Sequence, residues 1–184
     1  MRKHRGKTSR RWMAVAVVAL GTGGAVGTTG LAGTAEAADV PTTATATLFG
    51  PHQKETARLL TLVNGVRRAV GCPSLTTNTK LMKSARKHSA DMASHRNMSH
   101  TGSDGSAPSD RIADAGYERS AYGENVAHGY TTPESVMAGW MSSPGHRRNI
   151  LDCSFKEIGL GLAQPGNYWT QDFGRPRART KDGK

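Results

Sequence analysis

Three groups of residues in this chain have the types and settings that chemistry needs. Gly123-Glu124-Asn125 puts a carboxylate between glycine and asparagine, Ser143-Pro144-Gly145-His146 puts a hydroxyl and an imidazole in one short stretch, and Ser99-His100 supplies a second imidazole. A His/Glu/His cluster of this composition can bind a metal, move protons, or hold a cleft together. Two neutral imidazoles and one carboxylate, His100, His146 and Glu124, are a zinc ligand set, and an open fourth position would let the ion activate water. The spacing itself lacks the short i, i+4 histidine pair of helical zinc motifs, so only the fold can assemble the set. The plain alternative is that Glu124 accepts hydrogen bonds from His100 and His146 and orders the loops that carry them.

Other candidates carry blander readings. Ser143 and His146 share a helix face as a nucleophile and base would, but a serine immediately before Pro144 reads as a helix N-cap with its oxygen spent on backbone amides. His88 and His95 flank Asp91 at i, i+7 as a second metal pair, although histidines on a helix are usually packed or solvated. His128 follows the Gly-Glu-Asn loop and lies within swing of a cleft. Of the aromatic residues Tyr122, Trp140, Tyr168, Trp169 and Phe173, Tyr122 is the one expected to line a ligand groove, the rest belonging to the core.

The elements that must position these residues follow from patterning. Residues 1–37 read as an export signal: Arg2, Lys3, Arg5, Lys7, Arg10 and Arg11 precede an apolar run from Trp12 to Leu20, and Ala35-Glu36-Ala37 is a small-x-small cleavage pattern. Ser9-Arg10-Arg11 partly matches a twin-arginine signal, so the export route stays open. The apolar run is far shorter than the roughly 18 residues of a spanning helix, so no transmembrane anchor is expected once the signal is cut. Residues 38–50, rich in Thr and Ala, read as a flexible lead-in. One domain follows over 51–174, and 175–184 form a basic tail.

The formal charge of +11 belongs mostly to the ends. The leader's six basic residues face only Glu36, and Arg175, Arg177, Arg179, Lys181 and Lys184 of the tail face only Asp182. The near-neutral middle excludes specific nucleic-acid recognition. In an exported chain, Cys72 and Cys153 are expected to form one disulfide, with two buried free thiols as the alternative.

Within the domain, Leu59, Leu60, Leu62, Val63, Val66 and Val70 follow helical spacing up to a stop at Gly71. Asn78 caps a second helix running to about Ser94, whose outer face carries Lys80, Lys83, Arg86 and Lys87 as a solvated basic stripe. Pro108 or Ser109 opens a short helix, and Thr132-Pro133-Glu134 another. Ile158, Leu160 and Leu162 alternate with small residues, and after Gln164-Pro165-Gly166-Asn167 come Tyr168, Trp169, Thr170 and Phe173, which predicts an antiparallel hairpin. Helices first and strands last make the class α+β.

Seven stretches in order carry a family resemblance: Asn64 and Arg67 before Gly71-Cys72, HSADMASHRNMSHTGSDG, AGY, GENVAHG, TPESVMAGWMSSPGHRRNIL, IGLGLA and YWTQDFG. From about Gln53 to Gly174 the chain resembles the bacterial branch of the CAP superfamily, named for cysteine-rich secretory proteins, antigen 5 and pathogenesis-related proteins. The resemblance implies a three-layer α-β-α sandwich with a small antiparallel sheet and a surface cleft. In animal and plant members two histidines and two glutamates gather in the cleft and in some hold zinc. By position His100, Glu124 and His146 match three of the four, while the second glutamate's place is Ser143. Glu134, upstream of Trp140, reads as a first-turn helix acid instead.

These observations lead to the expectation of a secreted, monomeric protein. Its cleft of His100, Glu124, His146, Ser143, Tyr122 and Asn125 is expected to bind an extracellular lipid, envelope polymer or protein without catalysis. The alternative is a secreted hydrolase, with Glu124 and His146 as catalytic candidates and zinc as its one candidate cofactor.

Overall fold

The computed structural model describes residues 52–178, so the leader, the lead-in and the last six residues of the tail lie outside the described residues. The elements are α1 (Gln53–Ala69), β1 (Thr76–Thr77), α2 (Thr79–His95), α3 (Pro108–Asp114), β2 (Arg119–Ala127), α4 (Pro133–Ser142), α5 (Pro144–Leu151), β3 (Glu157–Ala163) and β4 (Tyr168–Pro176). The strands form one sheet in the order β1-β3-β4-β2, with β2 at an edge. The class is α+β, and helices cover both faces of the sheet.

Alternation along the strands sorts the layers. Ile158, Leu160, Leu162, Trp169 and Phe173 point into the main core with Leu59 and Val63 of α1, Val136, Met137 and Trp140 of α4, and Ile150 of α5. The opposite face of β3 carries Gly159 and Gly161. A Cβ on Gly159 would stand 2.1 Å from the Leu81 carbonyl, and one on Gly161 would stand 2.3 Å from Ala85 O. The α2 backbone therefore lies directly on β3, closer than any side chain would allow. Asn78 starts α2 as its sequence predicts, Oδ1 accepting from Lys80 N at 2.9 Å and Leu81 N at 3.4 Å.

Two devices bind α1 to the segment after α5. Arg67 is fully buried, and its guanidinium donates to the carbonyls of Pro73, Ile150, Asp152 and Phe155. Burial lowers the pKa of this guanidinium from its ordinary value, and Asp152 opposes that shift. The four carbonyls satisfy a cation that would otherwise be costly to bury. Beside it, Cys72 and Cys153 form the expected disulfide across 81 positions. On the chain-entropy account, closing a loop of that length is worth about 4 kcal/mol.

The structure departs from the sequence expectations in four places. Gly123-Glu124-Asn125, expected in a loop, lies inside β2, paired with β4 as Gly123↔Phe173, Glu124↔Asp172 and Asn125↔Gln171. The polar-apolar alternation of a strand is missing there because residues 124–127 are buried on both faces. The sheet is not wholly antiparallel, since the two-residue β1 runs parallel to β3. Ser143 precedes α5 but makes no side-chain cap bond. β4 continues to Pro176, and Arg177 N donates to Glu118 O, so ordered pairing extends past Gly174 into what reads as tail.

Gly159→Ala tests the contact between α2 and β3. The added methyl meets backbone, which cannot rotate away, so the variant should lose more than about 3 kcal/mol in urea unfolding, whereas Gly65→Ala, with open space around it, should not be destabilised by more than about 0.5 kcal/mol.

Candidate functional site

β2 carries Glu124 toward the side of the sheet that α2 covers, and α3 and the loop after α2 close over it. The carboxylate is 7% exposed, yet both its oxygens are engaged. His100 Nδ1 lies 2.8 Å from Oε1, and Arg111 Nη2 lies 2.7 Å from Oε2. An ionised carboxylate only accepts, so His100 holds its proton on Nδ1 and turns Nε2 outward. Burial by itself would raise the Glu124 pKa. The His100 hydrogen bond and the Arg111 charge outweigh it and hold the group below the ordinary carboxylate range.

Each partner is itself positioned. Arg111, on the inner side of α3, also donates to Ser106 O at 2.7 Å and His100 O at 2.9 Å, which fixes the loop that presents His100. His88 of α2 is fully buried, with Nε2 2.8 Å from Ser99 O and 4.0 Å from Glu124 Oε1. Burial lowers its pKa, Glu124 and Ser99 opposing, so the ring stays neutral at pH 7.

Across the strand pair from Glu124 stands Asp172, completely buried. Ser84 and Glu124 are its polar neighbours, and neither meets its oxygens in good hydrogen-bond geometry. Burial first, then the nearby Glu124 charge, push its pKa well above the ordinary carboxylate range, so charge on Asp172 is disfavoured beside the paired Glu124.

His146 reaches this edge of the sheet from the other layer. Asn125 Nδ2 donates to His146 O at 3.2 Å, and Asn149 Nδ2 donates to Glu124 O at 3.1 Å and Asn125 Oδ1 at 2.9 Å, so α5 is laced to β2. Burial and the neighbouring His100 lower the His146 pKa. His146 makes no hydrogen bond to Glu124, so the expected bridging of one carboxylate by both histidines is replaced by His100 plus Arg111. Asn125, expected to line the cleft, is fully buried and binds α5 and Gln171. Ser143 has no carboxylate to offer, and Tyr122 is 44% exposed with the Arg119 guanidinium 5.1 Å above its ring.

The remaining candidates stand apart. His95 is exposed and pairs with Asp91 on its own helix, away from the buried His88. His128 packs against Tyr168 with ring centroids 4.5 Å apart. Glu134 lies in the first turn of α4 and accepts from Arg58 at 2.6 Å. Trp140, Tyr168, Trp169 and Phe173 are buried in the core.

The donor set does not fit a resident metal. Among the described residues, no three of His, Cys, Asp and Glu are gathered as ligands. Glu124, assigned to the metal from sequence, has its oxygens filled by two donors, one of them a cation. What the arrangement offers chemically is an exposed imidazole oriented by a buried carboxylate. His100 keeps about half its side chain, 52%, in solvent.

Sequence reasoning missed Arg111, Asp172 and the role of His88. A signal for Asp172 was present: Thr170-Gln171-Asp172 is a polar triplet between Trp169 and Phe173 in the last apolar strand, where a buried network is the physical expectation.

Comparison with known proteins agrees with this architecture. The profile of the CAP, or cysteine-rich secretory protein, family matches residues 60–173. The uncharacterized protein YkwD of Bacillus subtilis is 36% identical over 140 residues, covering 76% of this chain and 53% of that protein. An extracellular SCP-domain protein from Bacillus anthracis superimposes with a TM-score of 0.63 at 28% identity, over 67% of this chain and 42% of the other. An outer surface protein of Borrelia burgdorferi shares the fold, with a TM-score of 0.64 at 20% identity over 68% of this chain and 95% of its own. The chain thus spans about half the length of the two Bacillus proteins.

The buried acid pair makes a pH-dependent prediction. A carboxyl whose pKa is raised on folding contributes stability below its unfolded value of about 3.8 and loses it as pH rises toward the folded value. Asp172→Asn removes the titrating group and with it that loss. The difference in Tm, variant minus parent, should therefore grow from pH 4 to pH 7 by roughly 3 °C or more, the effect of about 1 kcal/mol in a domain of this size. A difference independent of pH would mean that Asp172 is ionised in the fold.

Proposed function

We propose, from the premise that the chain belongs to the CAP family of cysteine-rich secretory proteins, that it is an extracellular binding module that recognises its ligand at the His100 edge of the cleft and performs no catalysis there. The observation that carries this reading is the saturation of Glu124. Its two oxygens accept from His100 and Arg111, its side chain is sealed from solvent, and its pKa is held low, so it is a poor proton acceptor at neutral pH. Ser143, where a second carboxylate is expected from the family pattern, removes the other candidate base.

An extracellular setting is supported by the export-type leader in the sequence and by the disulfide, which needs an oxidising compartment to persist. Among the described residues no helix is long and apolar enough to cross a membrane. The ligand classes this surface suits are a lipid, an envelope polymer or a protein.

One observation favours a second reading. His100 is half exposed and its Nδ1 is held by a carboxylate, which is how a general base is oriented, so a hydrolase acting through His100 is the competing function.

The purified chain, freed of its leader, separates the two. Sedimentation with isolated cell walls and with lipid vesicles should show binding that weakens at least tenfold in His100→Ala, while peptide, ester and glycan substrates are turned over no faster than in buffer. Turnover that disappears in His100→Ala or His146→Ala would establish the hydrolase and sink the binding module.

A further inference from the structure

We propose that the hollow between the end of α3 and the first half of β2 is a subsite for an anionic glycan, one whose sugar units carry carboxylate or phosphate groups. The hollow measures about 680 Å3, within the range of small-ligand sites, and is lined among others by Gly116, Glu118, Arg119, Tyr122 and Arg177.

Its charge is the first argument. Lys80 reaches toward it from α2, with Nζ 3.9 Å from where a Gly116 Cβ would stand. Among the described residues none of Lys80, Arg119 and Arg177 forms an ion pair. Glu118 is the one carboxylate in the lining. Cations gathered without counter-charge repel one another, and an oxyanion placed among them relieves that repulsion.

Geometry is the second. Arg119 lies over the Tyr122 ring, which holds the guanidinium plane and leaves its fork of donors free, the state in which arginine grips a carboxylate or phosphate with two bonds. The register of β2 against β4 slips between Arg119 and Ala121, leaving Ser120 as an extra residue. A bulge of this kind twists the strand and turns its side chains, and such bulges concentrate beside functional sites. The hollow is open enough for an extended chain to lie across it, and Arg119, Arg177 and Lys80 opposed by Glu118 are too few cations to track a duplex.

The hollow also adjoins the cleft. Tyr122 and Glu124 are two positions apart on the same face of β2, a rise of roughly 7 Å, so a glycan held at the arginines extends naturally toward His100. The inference takes its extracellular setting from the binding-module reading but does not depend on the His100 cluster, and the two can fail separately.

Calorimetric titration of the leader-free chain tests it with four probes: an oligogalacturonate, a phosphorylated mannose oligomer, a neutral galactose oligomer, and phosphatidylglycerol vesicles. One of the first two should bind at least tenfold more tightly than the neutral oligomer, and which one does so distinguishes carboxylate from phosphate. Arg119→Ala combined with Arg177→Ala, both surface changes, should weaken that binding tenfold or more, and Arg119→Lys should fall between. A full chain with Arg179→Ala, Lys181→Ala and Lys184→Ala should bind as the parent does. Equal affinity for the neutral oligomer, retention of binding in the double variant, equal loss in the tail variant, binding to vesicles alone, or no binding of either anion at millimolar concentration would each overturn it.

Discussion

Taking the Glu124 carboxylate out of water costs several kcal/mol unless its charge is matched inside the protein. Arg111 and His100 match it, and the need to bring them there organises much of one side of the molecule. Arg111 must come from a helix, so the loop after α2 folds over and α3 docks on β2. Its remaining donors then hold the carbonyls of Ser106 and His100, which makes the loop that carries the exposed imidazole a rigid one. The second carboxyl, Asp172, is fully buried, and burial with the nearby Glu124 charge pushes its pKa well above the ordinary carboxylate range. The site is therefore electrostatically closed: one acid is paired, and burial disfavours charge both on the other acid and on His88.

That closure is possible only because the scaffold keeps water out. Gly159 and Gly161 let the α2 backbone lie against β3, which covers Asp172 and brings His88 to Glu124. On the other face, Arg67 and the disulfide hold α1 to the end of α5 and the turn before β3. Asn125 and Asn149 then lock α5 to β2, and His146 arrives at the same edge as His100. The two histidines reach one place from opposite layers of the sandwich, and their neighbourhood is a product of packing on both faces of an edge strand.

Much of the architecture was legible in the residues alone. Leu59 and Val63 at helical spacing, Asn78 as a cap, Pro133 and Pro144 at helix starts, and the alternation through Ile158, Leu160 and Leu162 are local signals set by backbone geometry and apolar burial, and they predicted α1, α2, α4, α5 and the β3-β4 hairpin. β2 was not legible, because a strand buried on both faces loses its period, and its polar residues look like those of a loop. His100 and Glu124 were singled out from type and setting, and their direct bond is seen only in the fold. Arg111 looked like one more basic residue on a short helix, since nothing local distinguishes a buried guanidinium from a solvated one.

What the sequence determined by itself was therefore the class of fold, its family pattern, the helix boundaries and the residue types available at the cleft, all of which depend on interactions between near neighbours. The tertiary structure decided the partnership of those residues: Glu124 with Arg111 and His100, Asp172 buried with its pKa raised, Asn125 as a tie between layers, and Arg119 over the Tyr122 ring. Charge state and hydrogen-bond partner depend on burial and on groups brought together from distant parts of the chain. Local sequence carries no record of either until the chain is packed.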